Sequence, residues 1–210
     1  QDYTRAIQIN SEKASAFYNR GLSKDKLKDF YGAISDFNKA IEIDDQHQKA
    51  YIYRGYAKSD IGDYQGAIKD LTSAIEINPE DAYAYSARGY LKEKAGDYYA
   101  AISDYSKAIK INPEDDYSFS GRAYSKGQIG DNNGAINDFT KAIEINSVDG
   151  FLFFARGFYN NIAGNFTQAC QDWIKASDLG YNDANKKANE CSNARDVEES
   201  INSLLSSQNY

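Results

Sequence analysis

RGYLKEKAGDYYAAISDYSKAIKINP, residues 88–113, is the stretch that decides the fold. A second version runs from Arg54-Gly55 through Gly62-Asp63-Tyr64, Ala67-Ile68, Asp70-Leu71 and Ala74-Ile75 to Asn78-Pro79. Gly21, Gly55 and Gly89 stand 34 residues apart, Ala123 fills the next slot and Gly157 the one after. A fixed period of this size marks stacked helical repeats, in which each unit buries its apolar face only against its neighbours.

Each unit carries two helical patterns. In 82–115, Tyr85, Arg88, Gly89 and Lys92 recur at helical spacing. Ala95-Gly96-Asp97 breaks the first helix, with Gly supplying a left-handed end. Tyr98, Ala101, Ile102, Tyr105, Ala108 and Ile109 form the stripe of the second. Asn112-Pro113 stops it, because the residue before Pro is pushed out of helical geometry. Gly89 is expected to face Ala101, small against small, so that two antiparallel helices approach closely.

The expected organisation is a truncated repeat's second helix at 1–13, repeats at 14–47, 48–81, 82–115, 116–149 and 150–183, and a C-terminal capping helix or tail at 184–210. Residues 2–10 match 104–112 slot for slot without an upstream helix, so N-terminal sequence is expected to be missing. In the tail, Val197, Ile201, Leu204 and Leu205 form an apolar stripe. It reads as a cap on the last repeat, or as an amphipathic helix that enters a groove.

The pattern resembles the tetratricopeptide repeat: helix–turn–helix units of this length with aromatic, Gly, Ala, aromatic, Ala and Pro in fixed order. The resemblance covers 2–183. It implies an all-α fold, a right-handed superhelical solenoid of antiparallel helix pairs. It also implies a concave groove lined by the first helix of each pair. Lys49, Ile52, Tyr56, Tyr83, Ser86, Tyr90, Glu93, Tyr117, Ser120, Tyr124, Phe151, Phe154 and Phe158 fall on that side. Their aromatic members make two rows, and aromatic anchors dominate contact energetics in protein interfaces. Some members of the family clamp a chaperone's C-terminal carboxylate with Lys, Asn and Arg. The matching slots here hold Ile52, Tyr53, Tyr56, Ala87 and Tyr90, so an apolar or aromatic-rich peptide is expected instead. The run Ala169-Cys170-Gln171-Asp172-Trp173 resembles the closing unit of many bacterial members.

Two charged rows share the period. Arg20, Arg54, Arg88, Arg122 and Arg156 occupy one slot, and Asp36, Asp70, Asp104, Asp138 and Asp172 another. An inward Arg needs a partner, because an unpaired buried charge is very costly. A structural Arg–Asp ladder is therefore expected, either within a unit (Arg88–Asp104) or to the preceding one (Arg88–Asp70).

The totals narrow the function. Net charge is −7, which disfavours a phosphate-backbone binder. Mean hydropathy is −0.70, and no apolar run is long enough to span a membrane. His47, the one histidine, reads as a solvated loop residue with no partner for acid–base work. No Cys/His cluster has zinc spacing, and neither metal nor cofactor is expected. Cys170 and Cys191 read first as buried free thiols, or as a disulfide if the protein is exported. A cytoplasmic location is favoured. The leading expectation is a non-catalytic scaffold that binds a protein or peptide, with no nucleic acid and no membrane insertion. The alternatives are a homo-oligomer assembled through the helical ends, and the regulatory repeat domain of a larger enzyme.

Overall fold

The computed structural model describes residues 3, 5, 7 and 11–193. The tail stripe from Val197 to Leu205 lies outside the described residues, as does most of the N-terminal segment. The chain divides into two compact units, residues 1–113 and 114–210.

The first unit holds α1 (Ala14–Lys26), α2 (Phe30–Ile43), α3 (Gln48–Asp60), α4 (Tyr64–Ile77), α5 (Ala82–Lys94) and α6 (Tyr98–Ile111). The second holds α7 (Asp116–Gln128), α8 (Asn132–Ile145), α9 (Gly150–Ile162) and α10 (Phe166–Asp178), then a 3-10 turn at Asn182–Ala184. Residues 185–193 are helical, and no strand occurs among the described residues. Within each unit every helix packs on the one before it.

Local chemistry sets the boundaries. The second helix of four repeats opens on an Asp whose carboxylate accepts from a backbone N–H three residues on, as Asp63 does from Gly66 at 2.9 Å. This satisfies one of the donors that a helix start leaves open. The turn between paired helices needs a left-handed residue. Gly62, Gly96, Gly130 and Gly164 supply it at φ 81–86°, while Lys28 takes the same slot at φ 62°.

The small residues set how close the paired helices come. A Cβ on Gly157 would stand 3.1 Å from the Ala169 carbonyl oxygen, and one on Gly150 would stand 3.1 Å from that of Ala176. Seven residues forward on α9 are thus seven back on α10, so the pair is antiparallel. At Gly89 the nearest atoms are those of the Tyr105 ring, at 3.1–3.2 Å. The second-helix ring, not only the small alanine, fills the space that glycine leaves.

Ala33, Phe37, Ala40, Ala67, Leu71 and Ala74 are fully buried in the first unit, as are Ala135, Ala142, Ala169 and Ala176 in the second. Two sequence readings are corrected here. His47 is not a solvated loop residue: it caps α3, its Nδ1 accepting from Ala50 N–H at 3.3 Å, and its ring lies 4.9 Å from that of Tyr18. Cys170 and Cys191 are not free thiols: they form a disulfide, with Cα atoms 5.5 Å apart, that ties the helical residues 185–193 to α10.

Candidate interaction surfaces and the charge ladder

The Arg and Asp rows meet inside each repeat. Arg20 Nη2 lies 2.6 Å from Asp36, Arg88 Nη2 2.7 Å from Asp104 and Arg122 Nη2 2.7 Å from Asp138. Arg54–Asp70 and Arg156–Asp172 repeat the geometry at 2.5 and 2.6 Å. In every pair Nε donates to the second carboxylate oxygen at 2.8–2.9 Å. Such two-point pairing fixes orientation as well as charge. Each guanidinium also lies 5.3–5.7 Å from the ring three residues earlier, namely Phe17, Tyr51, Tyr85, Phe119 or Phe153.

The remaining Arg nitrogen reaches back to the preceding repeat. Arg54 Nη1 donates to Asn38 at 2.7 Å, Arg88 Nη1 to Thr72 at 3.0 Å and Arg156 Nη1 to Thr140 at 3.2 Å. One side chain therefore links both helices of its own unit to the second helix of the unit before.

A third row was missed in the sequence. Lys24, Lys58, Lys92 and Lys126 each place Nζ 2.7–2.9 Å from the other oxygen of the same Asp. Its signal was the period itself, since these lysines are also 34 residues apart. Burial pushes the Asp36 carboxyl up, but hydrogen bonds and charges from Arg20 and Lys24 outweigh it and hold the group below its ordinary value.

The groove-side residues separate by exposure. In the first unit Tyr83 is 58% exposed, Tyr90 and Lys49 are exposed, and Tyr56 and Glu93 are half-buried. Tyr56 packs edge-on against Tyr53 and Tyr83, with ring centres 6.1 and 6.0 Å away. In the second unit Tyr117, Tyr124, Phe151 and Phe158 are exposed, and Ser120 and Phe154 are half-buried. Phe154 lies against Tyr181, with ring centres 5.2 Å apart. Ile52 and Ser86 are corrected: at 5% and 4% exposure they cannot line an open surface. Ile52 belongs to an apolar cluster with Ala84, Ala87 and Leu91 of the following repeat. The following first helix covers Ile52.

Asp25 Oδ1 is buried without a hydrogen-bond partner. Burial, then the charge of Asp60, raises this carboxyl above its ordinary value. Among the described residues, no group of His, Cys, Asp and Glu could hold a metal ion. No helix there is long and apolar enough to cross a membrane.

Antiparallel helix pairs with an internal ion-pair ladder define a helical-repeat protein. Residues 14–47 and 82–115 match the family described as "Tetratricopeptide repeat", and residues 55–96 match "TPR repeat". The matched residues, within 14–115, carry tetratricopeptide repeats. No curated protein sequence matches it.

Solved structures share the fold. One titled "Crystal structure of MamA" is 23% identical, with TM-score 0.73, covering 78% of this chain and 96% of its own. The protein YrrB, whose title describes "an unusual peptide-binding site", is 20% identical, with TM-score 0.73, covering 85% and 92%. PilF from Pseudomonas aeruginosa is 16% identical, with TM-score 0.71, covering 79% and 76%.

Proposed function

We propose that this chain is a non-catalytic scaffold that binds an extended or helical peptide on the aromatic side of its first helices. The observation that carries the reading is the exposure of Tyr83, Tyr124, Phe151 and Phe158, all on first helices. Tyr83 and Tyr90 on α5, Tyr117 and Tyr124 on α7, and Phe151 and Phe158 on α9 are each seven residues apart. Two helical turns return a residue to nearly the same side, so each helix offers two rings to one ligand. Stability of the repeat does not require exposed rings at these slots, whereas peptide contacts favour them.

The acids refine the ligand. Asp25 and Asp60 favour a peptide with some positive charge near its apolar residues. The peptide-binding site named for YrrB supports the same class of function. The protein or peptide partner is defined only by this chemistry.

The test is selection of peptides from a displayed random library, followed by binding to Tyr83→Ala and Phe158→Ala variants. Selected peptides are expected to be rich in apolar or aromatic residues with some Lys or Arg. At least one variant is expected to bind them tenfold or more weakly, with its unfolding curve unchanged. If peptides bind both variants as tightly as the parent, the aromatic side is not the site.

A further inference from the structure

The fifth repeat departs from the ladder at one position. Where four repeats place Lys24, Lys58, Lys92 and Lys126 on the second oxygen of their Asp, this repeat has Asn160. Asn160 is buried, and its amide donates to Asp172 Oδ2 at 3.2 Å. Its carbonyl in turn accepts from Asn165 Nδ2 at 3.2 Å. A shorter side chain stands where a lysine would reach. A cleft of about 240 Å³ opens there, lined by Thr140, Arg156, Asn160, Gln168, Gln171 and Asp172.

We propose that this cleft is a binding site for a primary ammonium group, which takes the place held by the lysine Nζ in the other four repeats. Charge is the first argument. Each of those repeats sets two cations around one buried Asp, whereas among the described residues Asp172 has one ion pair, with Arg156. A bound ammonium restores the balance of the other repeats. Hydrogen bonding is the second. An ammonium has three N–H donors and needs acceptors for each. Asp172 Oδ2 supplies one, at the distance that four internal lysines already demonstrate. Gln168 and Gln171, which also line the cleft, carry amide oxygens that can serve as the others. A quaternary ammonium, lacking N–H, meets none of these acceptors.

The site lies apart from the aromatic side. Asn160 and Phe158 differ by two positions on α9, about 200° around a helix. The inference therefore does not rest on peptide binding at the rings.

The experiment is a titration of the 210-residue chain with n-butylammonium chloride, followed by the side-chain amide resonances of Asn160, Gln168 and Gln171. Tetramethylammonium chloride at equal ionic strength is the control. The expected result is a saturable shift with butylammonium only. Asn160→Lys, which installs the side chain of the other repeats, is expected to fold, to unfold at a higher temperature and to lose the saturable shift. Equal, unsaturating shifts from both salts overturn the proposal, and so does an Asn160→Lys protein that still binds. A lysine-containing peptide that binds tenfold tighter than butylammonium and shifts the same amides makes the natural source a protein side chain. Equal affinities make it a small free amine.

Discussion

Arg156 and Asp172 are joined at two points, Nε to Oδ2 at 2.9 Å and Nη2 to Oδ1 at 2.6 Å, and Asn160 stands where the other repeats have lysine. Arg88 and Asp104 have the same geometry, with Lys92 Nζ 2.7 Å from Asp104 as well. Removing Arg156 strands a buried carboxylate with only an amide. Arg156→Met is expected to cost about 3 kcal/mol, the low end for breaking a buried pair because the Arg is partly exposed. Arg88→Met leaves Lys92 in place and is expected to cost about 1–2 kcal/mol. Urea unfolding of the two variants measures the difference, and equal losses would contradict the role given to the lysine row.

Asp25 gives a stability effect of known sign. Its carboxyl is raised in the folded chain by burial and by Asp60. A raised carboxyl contributes stability that is full below the unfolded value of about 4 and is lost as pH rises through the folded value. Asp25→Asn is therefore expected to raise the melting temperature at pH 7, with the gain disappearing below about pH 4. Asp36 runs the other way. Its net lowering by Arg20 and Lys24 stabilises the fold above about pH 4 and is lost as pH falls through the depressed folded value. Melting curves of Asp25→Asn and parent between pH 3 and 7 check both signs.

Lys28 holds φ 62° in a slot that glycine occupies in the next four repeats. Left-handed backbone costs a non-glycine residue about 1–2 kcal/mol, partly offset by the extra chain entropy that glycine loses. Lys28→Gly is expected to stabilise the first repeat by up to about 1 kcal/mol. Amide hydrogen exchange in α1 and α2 is the direct readout, with slower exchange expected.

The Cys170–Cys191 bond closes a loop of 21 residues in sequence separation. By loop entropy it is worth about 3 kcal/mol to the segment it ties down. Cys191→Ser is expected to speed amide exchange in residues 185–193 by a hundredfold or so, while α8 and α9 change little.

Residues that repeat at a fixed period were the most legible in the sequence. Helix pairs, turn glycines and the Arg and Asp rows all carry it. Whether Arg88 paired with Asp104 or Asp70 needed the helix packing, since both spacings suit adjacent helices. The lysine row carried the same period, but helical spacing alone did not turn Lys92 toward Asp104. Ile52 and Ser86 were misplaced for a related reason: periodicity assigns a side of a helix but not what the neighbouring repeat covers. His47 was opaque because a capping histidine has no distinctive sequence signal. The bonding of Cys170 and Cys191 depends on Cα separation, which sequence spacing does not give.

The most direct test of the central claim is the map of amide shift changes when a selected peptide binds. The account predicts changes concentrated around Tyr83 and Tyr90 on α5, or around Tyr117, Tyr124, Phe151 and Phe158 on α7 and α9. Changes confined to the second helices, α2, α4, α6, α8 and α10, with the exposed rings unmoved, would contradict it.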